Sequence, residues 1–452
     1  MSPEKTIIAL STPPGLGAIA IIRLSGQLSL KIVRKIISLK SVITPMVSFY
    51  TKIYAGEDLL DDAIVTYYKA PRSYTGEDAV EISCHGSPYI INKIIKMCLM
   101  RGATLAQPGE FTRRAFINGK MDLSQAEAVS DLVFSQTQAA HKVAIEAICG
   151  SIGQKITVLR NNLVDLISIL ELELDFSENE IDATSNNDLA RAIDNVLIKT
   201  RSLIKSYSCG KILKRGVLIP IVGPPNSGKS SLLNAFLNEE RAIVTPFPGT
   251  TRDTLEEAIQ AGGHLLRLLD TAGIRTTNNH IEKIGINRTL KSIQRGDIVL
   301  FVIDASKPIK NIWKQHFIKN RNTIIVINKI DIIKNDSLKK FHEIFAEYSH
   351  VFVSAKKHTG LHELTKMILD IISDKIQTDD SVIISDLRHL KALQDARRKL
   401  SWARKQMVDT GRAPEIIIAD LRLVLDHFDE ILGKTTNDEI LNNIFNKFCI
   451  GK

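Results

Sequence analysis

One stretch of the sequence has the residue types and the spacing of a phosphate-binding loop. The run Gly223-Pro-Pro-Asn-Ser-Gly-Lys-Ser230 matches G-x-x-x-x-G-K-[ST] and lies between an apolar run and a helical run that starts at Ser231. Backbone N–H groups of such a loop point at phosphate oxygens, and the N-terminus of the following helix adds a positive dipole. We therefore expect Lys229 to reach the β- and γ-phosphates of a nucleotide and Ser230 to bind Mg²⁺.

Four further motifs follow in the order that a GTPase requires. Gly249-Thr-Thr-Arg-Asp253 offers a threonine to Mg²⁺ and the γ-phosphate, and Asp270-Thr-Ala-Gly273 offers a carboxylate to Mg²⁺ through water and an N–H to the γ-phosphate. In Asn328-Lys-Ile-Asp331 the last carboxylate can accept two N–H donors from guanine, a pair that adenine lacks. Ser354-Ala-Lys356 can support the base. Together the motifs predict GTP binding and hydrolysis.

The residue that activates water is not where many GTPases have it. Ile274 follows the Asp270–Gly273 motif at a position where a glutamine often orients the attacking water. Asn226 could instead place an amide oxygen on a monovalent cation near the phosphates, and Glu282 could orient water. A solvated helix residue is the alternative interpretation of Glu282.

The last four residues, Cys449-Ile-Gly-Lys452, have three interpretations. They could form a prenylation box, although Lys452 is not a usual final residue and no polybasic run precedes it. They could be a frayed tail. A thiol beside a lysine in a cleft could also act as a nucleophile or an acid.

Composition excludes several classes of protein. The 452 residues are 44% hydrophobic and 24% charged, which is typical of a globular chain. The formal net charge of +9 fits a nucleic-acid partner, but many metabolic enzymes share such a charge. The five cysteines are an odd number and form no C-x-x-C, so we expect no disulfide framework or zinc site and a cytoplasmic location. No apolar stretch is long enough to predict a membrane span.

The predicted secondary structure changes along the chain. Residues 6–118 are rich in strand patterns, the part from Leu123 is helical, strands alternate with helices over residues 216–374, and residues 385–448 are helical again. The alternating part predicts a parallel α/β sheet inserted into a split helical domain. We set the domains at 1–120, 121–212, 213–378 and 379–452.

Motifs over nearly the whole chain carry a resemblance to one family. Beside the GTPase motifs they are Thr12-Pro-Pro-Gly15, Tyr74-Thr-Gly-Glu-Asp78, Pro108-Gly-Glu-Phe-Thr112, Asn118-Gly-Lys120 and the terminal Phe448-Cys-Ile-Gly-Lys452. In these the chain resembles the MnmE (TrmE) family of tRNA uridine-modification GTPases. The resemblance implies an α+β multidomain chain with an N-terminal folate-binding-like α+β domain, a discontinuous helical domain and an inserted Ras-like α/β P-loop GTPase domain.

The resemblance also implies site residues. A tetrahydrofolate derivative, in its 5,10-methylene or 5-formyl form, would contact Arg23, Glu81, Lys120 and Lys452, and Cys449 matches a functionally required cysteine. Glu282 matches the catalytic acidic residue. K⁺ would be held by Asn226, Thr245, Phe247 and Thr250, and Mg²⁺ by Ser230 and Thr251. The residues expected around GTP or GDP are Asn226, Ser227, Gly228, Lys229, Ser230, Ser231, Thr245, Pro246, Phe247, Pro248, Gly249, Thr250, Thr251, Asp270, Thr271, Ala272, Gly273, Asn328, Lys329, Asp331, Ser354 and Ala355.

Family members form homodimers through the N-terminal domains and a heterotetramer with MnmG, which carries FAD and NADH. The resemblance implies that potassium-activated GTP hydrolysis accompanies addition of a carboxymethylaminomethyl or aminomethyl group to C5 of the wobble uridine (position 34) of certain tRNAs, with no membrane partner. Pro224, Pro246 and Pro248 depart from the commoner family pattern. The rival hypothesis is an RNA-binding switch GTPase of ribosome assembly, which would not need the folate-like region or Cys449; a third is a GTPase lipidated at that cysteine.

Overall fold

The computed structural model describes residues 5–38, 42–175, 186–239, 256–270, 292–308, 322–376, 382–409, 414–435 and 438–451. The chain divides into two compact units. The first comprises Met1–Val133, Glu146–Leu197 and Ala392–Lys452, and the second comprises Phe134–Ile145 and Ile198–Lys391. Among the described helices, none combines the length and apolar character needed to cross a bilayer.

The first unit contains a mixed six-stranded sheet in the order β3-β4-β5-β2-β1-β6. Its strands are β1 Ile7–Leu10, β2 Gly17–Ser25, β3 Ser48–Ala55, β4 Asp58–Tyr68, β5 Ala79–Gly86 and β6 Thr104–Leu105. Burial alternates along β4, where Asp61, Ala63, Val65 and Tyr67 are buried, because successive side chains point to opposite faces. The buried face packs on two helices, α1 Ser29–Arg34 and α2 Pro88–Leu99.

The opposite face of this sheet carries a smaller apolar cluster. Phe111, from helix α3 (Glu110–Ile117), packs there with Ile7, Ala9 and Ala106. Part of this face lies open, because Ile19 and Tyr50 are about two-thirds exposed. The polar side chains of β2 and β5 are thus available at a surface next to α3.

The remaining helices come from both sides of the α/β region. They are α4 Leu123–Phe134, α5 Gln138–Ile148, α6 Ser151–Asp175, α7 Asn186–Arg215, α11 Leu387–Asp409, α12 Pro414–Leu432 and α13 Asp438–Phe445. Helices α6 and α12 pack together through two ion pairs: Arg160 Nε lies 2.7 Å from Asp429 Oδ1, and Arg422 lies 2.6 Å from Glu171. Helices that precede and follow the α/β region in sequence therefore share one bundle.

The second unit contains a six-stranded sheet in the order β12-β11-β10-β7-β9-β8. Its elements are β7 Val217–Val222, α8 Lys229–Glu239, β8 Glu256–Ala261, β9 His264–Asp270, β10 Val299–Asp304, β11 Thr323–Asn328, α9 Asn335–Ile344, β12 His350–Val353 and α10 Leu361–Ile376. The alternation of strands and helices that was predicted for residues 216–374 is confirmed. The sheet is parallel, as predicted, except at one edge, where β8 runs antiparallel to β9 because the two-residue Gly262-Gly263 turn can join only antiparallel neighbours.

Pro220 lies inside β7 without breaking the sheet. Backbone groups two residues apart on a strand point to the same side, so those of Leu218 and Pro220 do. The Leu218 N–H donates to the side chain of Asp297, and the Leu218 carbonyl oxygen accepts from the Asp297 N–H. The Pro220 ring therefore faces the turn before β10, where Gly296 offers no side chain; a Cβ there would lie 2.6 Å from Pro220 Cδ. The missing N–H falls before the β7–β10 ladder, which pairs from Ile221 and Leu300.

Candidate functional site

The predicted phosphate loop joins β7 to α8, as the sequence indicated. Lys229 is buried, and its Nζ donates to the carbonyl oxygens of Gly223 at 3.0 Å and Pro224 at 2.9 Å. Asn226 adopts a left-handed backbone, with φ of +62°. These bonds hold the ammonium group over the loop, where it can exchange carbonyl partners for phosphate oxygens.

Two glycines are required by the path of this loop. Gly223 and Gly228 have φ of +150° and +92°. A Cβ on Gly223 would lie 2.1 Å from the carbonyl oxygen of Val302, and a Cβ on Gly228 would lie 2.2 Å from Asn328 Nδ2. The glycines therefore let the loop lie against β10 and the base-recognition motif.

Asn328 joins three segments of the site. It is 2% exposed, its Nδ2 donates to the carbonyl oxygen of Ser227 at 3.0 Å, and its Oδ1 accepts from the N–H groups of Lys329 and Ala355 at 2.8 and 3.1 Å. The amide thus fixes the phosphate loop relative to the two motifs that were predicted to hold the base.

Asp331 is positioned by Ser354. The Ser354 hydroxyl donates to Asp331 Oδ1 at 2.6 Å and accepts from the Lys357 N–H at 3.2 Å. The hydrogen bond from Ser354 holds the pKa of Asp331 below its usual value. The carboxylate is therefore ionised at neutral pH, as an acceptor of guanine N–H donors must be.

Asp304 belongs to this site but was not predicted. Lys329 Nζ donates to its Oδ2 at 2.7 Å and to the carbonyl oxygen of Asn226 at 2.8 Å, while Ser306 donates twice to its Oδ1. Burial raises the pKa of Asp304, but the hydrogen bonds from Lys329 and Ser306 outweigh it and leave the pKa lowered. An acidic residue at the end of the apolar run Val299–Ile303 was the available signal.

Many of the predicted nucleotide and cation contacts lie outside the described residues. Asp270 ends β9, but its side chain lies outside the described residues. Also outside them are Thr245, Pro246, Phe247, Pro248, Gly249, Thr250, Thr251, Thr271, Ala272, Gly273, Glu282 and Lys452. Within the described ranges, no group of three or more His, Cys, Asp or Glu side chains could hold a metal ion. Ser230 and Ser231 occupy the first turn of α8.

A second group of predicted residues meets on the open face of the N-terminal sheet. Arg23 and Glu81 are register partners on β2 and β5, and both guanidinium bonds go to Glu81 Oε1, at 2.9 Å from Nε and 2.7 Å from Nη2. Tyr68 donates to Glu81 Oε2 at 3.3 Å. The guanidinium carbon of Arg23 lies 5.6 Å from the ring centroid of Tyr74 and 5.8 Å from that of Phe111. The side chains of Arg23 and Glu81 are each about one-quarter exposed.

Lys120 reaches the loop that carries Tyr74. Its Nζ donates to the carbonyl oxygen of Pro71 at 3.1 Å, and its methylene stem passes 3.4 Å from where a Cβ of Gly76 would lie. Three of the four predicted folate contacts are thus associated with one surface: Arg23 and Glu81 directly, and Lys120 through residues 71–76.

The C-terminal tail, residues 449–451, docks on the same domain. The Ser11 hydroxyl donates to the carbonyl oxygen of Gly451 at 3.2 Å, and a Cβ on Gly451 would lie 2.2 Å from the carbonyl oxygen of Leu10. Since Leu10 pairs with Ile22, the tail lies one residue pair from Arg23 along the β1–β2 ladder. Phe445, the last residue of helix α13, and Phe448 just after it anchor the tail, because both pack with Leu123 and Ala126 of α4.

The cysteines differ in accessibility. Cys449 and Cys149 are exposed, whereas Cys84, Cys98 and Cys209 are buried. Burial raises the pKa of Cys84 to about 11 and that of Cys98 to about 12. The thiolate, the reactive form, is therefore suppressed at those two buried positions.

Two family models match the chain. One, described as the GTP-binding protein TrmE N-terminus, covers residues 6–120, and the other, described as the MnmE helical domain, covers residues 123–449. A curated relative from Aquifex aeolicus, named tRNA modification GTPase MnmE, is 41% identical over 99% of this chain and 100% of its own length. The chain belongs to the MnmE family. A Bacteroides fragilis relative with the same name is 38% identical over the same shares.

Solved structures resemble part of this MnmE-family chain. The G domain of the Thermotoga maritima FeoB iron transporter is 26% identical and covers 34% of this chain and 98% of its own, with a TM-score of 0.26. The MnmE-family fold expected from the sequence, an N-terminal α+β domain, a helical domain and a P-loop α/β domain, is confirmed by the family models and the two sheets.

Sequence reasoning missed three residues on the N-terminal surface of this MnmE-family chain. Tyr74 lies under Arg23, Tyr68 bonds to Glu81, and Ser11 holds the tail. Tyr74 begins a motif that carried the resemblance, so an aromatic residue in that motif was the available signal. Ser11 and Tyr68 had none, because their partners are distant in sequence.

Proposed function

We propose that this chain hydrolyses GTP in a potassium-activated cycle and modifies tRNA together with an FAD-dependent partner, MnmG. The product is a carboxymethylaminomethyl or aminomethyl group on C5 of the wobble uridine, built from a tetrahydrofolate one-carbon unit. The chain acts as a homodimer and assembles with MnmG as a heterotetramer. The observation that carries the proposal is the match at 41% identity over 99% of the chain to a tRNA modification GTPase, which makes this chain a GTP hydrolase by family.

Different described residues bind the phosphates and the base of the nucleotide. Lys229 exchanges its loop carbonyl partners for β- and γ-phosphate oxygens, and Asp331, ionised and oriented by Ser354, accepts the guanine N–H donors. Lys329 ties the base motif to the phosphate loop through the Asn226 carbonyl oxygen and Asp304. Binding of the base at Asp331 is therefore linked through the hydrogen bonds of Lys329 to the loop that holds the phosphates.

The donor set suits the expected cations. Ser230, next to Lys229, offers a hydroxyl oxygen, which is the hard ligand that Mg²⁺ prefers, and Asn226 offers an amide oxygen to K⁺. When bound, these cations supply positive charge against the phosphates. Glu282 is proposed to orient water, with Thr245, Phe247, Thr250 and Thr251 completing the two cation sites.

The folate surface also has suitable chemistry. A pterin presents polar N–H groups and a folate tail presents carboxylates. Glu81 can accept from the former, while Arg23 and Lys120, with Lys452, supply cations for the latter. The Arg23–Glu81 bond holds both side chains in place on adjacent strands before a ligand arrives. Docking of the tail on Leu10 and Ser11 supports a role for Cys449 beside this surface.

The deciding experiment is nucleoside mass spectrometry of tRNA from cells that lack the protein. The wild type should restore the modified wobble uridine, while Cys449→Ser and Lys229→Ala should not. Purified Cys449→Ser should hydrolyse GTP at the wild-type rate, faster in K⁺ than in Na⁺. If the wild type leaves the uridine unmodified yet hydrolyses GTP, the modifying role is refuted and an RNA-binding assembly switch takes its place. Equal rates in the two salts would refute the cation role of Asn226.

A further inference from the structure

Helix α11 presents a basic surface that the proposed chemistry does not use. The helix contains seven lysine and arginine residues and two aspartates. Ala396, Leu400, Ala403 and Met407 are buried, so one side of this part of the helix faces the protein interior. On the other side five side chains are exposed, which we call the α11 face: Arg397, Arg398, Ser401, Trp402 and Lys405.

Acidic partners neutralise only some of these cations. Lys399 and Arg404, at the edges of the α11 face, bond to Asp420 at 3.1 Å and Asp194 at 2.9 Å, and Arg398 pairs with Asp395. Arg397 and Lys405 have no acidic partner among the described residues. Within the part of the chain that the structure describes, the α11 face therefore keeps uncompensated positive charge.

A tryptophan lies between the cations. Trp402 is 48% exposed, although an indole is usually largely buried. Arg398 is one turn before it and Lys405 one turn after it, because residues at i−4 and i+3 share its side of a helix. The three side chains follow one line of about 10 Å. An apolar ring between cations is the arrangement with which proteins stack a base and contact the neighbouring phosphates.

We propose that the α11 face binds RNA, with Trp402 stacking on an unpaired base and Arg397 and Lys405 contacting phosphates. The inference rests on the proposed function, since it takes tRNA as that RNA. An acidic protein surface would complement the charge equally well, but it gives no reason for an exposed indole between the cations. Loops of tRNA supply both phosphates and unstacked bases.

Equilibrium binding of unmodified tRNA to the full-length protein over a range of KCl concentrations tests the charges. Two phosphate contacts contribute about 15- to 30-fold to affinity at about 0.15 M salt. Arg397→Ala/Lys405→Ala should lose that factor, and the negative slope of log K against log[salt] should become shallower by about 1.4 to 1.8. Lys31→Ala/Lys96→Ala removes the same charge from two exposed lysines of α1 and α2 and should change neither.

Trp402→Ala tests the stacking separately. It should weaken binding about 5- to 150-fold with an unchanged salt slope, and Trp402→Phe should restore most of the loss. GTP hydrolysis should be unaffected in every variant. If the charge variant loses no more affinity than its control, or if Trp402→Ala binds as the wild type does, the proposal is overturned. The proposed function is judged independently, by whether the wild type restores the wobble uridine in cells.

Discussion

Replacing Gly451 with alanine should detach the C-terminal tail from β1 while the rest of the protein stays folded. Gly451 has φ of +96°, and the new Cβ would lie 2.2 Å from the carbonyl oxygen of Leu10, where ordinary contacts begin at 3.4 Å. The tail would have to move by about 1.2 Å, which breaks the 3.2 Å bond from Ser11. Left-handed backbone costs alanine about 1–2 kcal/mol, and the lost bond about 0.5–1.5 kcal/mol. The ratio of detached to docked tail should therefore rise about 10- to 400-fold.

A nitroxide spin label on Cys449 measures that ratio. Among the described cysteines only Cys149 is also exposed, so Cys149→Ser makes labelling selective. The electron paramagnetic resonance spectrum should show mainly slow motion of the nitroxide while the tail is docked. After Gly451→Ala it should show mainly fast motion. Wobble-uridine modification should fall with the docked fraction, while GTP hydrolysis stays constant.

Gly102→Ala is the matched control. Its φ of +100° imposes similar backbone strain, but nothing lies within 4 Å of the new Cβ. It should lower the free energy of unfolding by about 1–2 kcal/mol, and the nitroxide on Cys449 should keep its slow motion. Identical spectra for the wild type and Gly451→Ala would refute the reasoning, because the close approach to Leu10 would then not hold the tail.

Three further predictions concern other positions. Gly228→Ala should weaken GTP binding at least about 10-fold in calorimetry, because its Cβ would collide with the guanine motif, whereas Gly263→Ala, with φ of +80° and nothing within 4 Å, should not. Asp331→Asn should weaken GTP binding by about 1.5–3 kcal/mol, and xanthosine triphosphate, whose oxygen can accept from the amide, should recover it; equal loss for both nucleotides would contradict base recognition by this residue. The hydrogen bond that the His85 ring donates to the Asp61 carboxylate raises the pKa of His85 above 6.5, so this pair stabilises the fold below pH 6.5 and stops doing so as the pH rises through the higher folded pKa. Asp61→Asn should return the pKa to about 6.5 in an NMR titration, and an unchanged titration would exclude the pair as the cause.

The nucleotide site was predictable because the residues that form it lie in short contiguous motifs. The run from Gly223 to Ser230 carries its own loop geometry, and Asp331 stands three residues after Asn328 in a fixed pattern. The Lys329–Asp304 bond was not predictable, because it joins the ends of β10 and β11 and depends on which strands are neighbours.

The N-terminal surface shows the same limit more strongly. The resemblance selected Arg23 and Glu81, but spacing alone could not pair residues 58 positions apart, since the pairing follows from the β2–β5 register. Strand β8 was missed although Gly262-Gly263 marked a hairpin, because its sequence, EEAIQA, is short and polar at its start. Local chemistry was visible in the sequence, whereas partners that depend on strand order were not.

The bond between Ser11 and Gly451 joins residues 440 positions apart. At a synthesis rate of about 5–20 residues per second, β1 leaves the ribosome about 20 to 90 seconds before residue 451 does. The strand and the phosphate loop can fold during that interval, but the cysteine tail cannot dock until translation has passed it. A prematurely terminated or C-terminally clipped chain would retain the phosphate loop and its base motif while lacking the docked cysteine. Translation therefore completes the nucleotide site before the tail can dock, so partial products could bind GTP while lacking the cysteine to which we propose a role in modification.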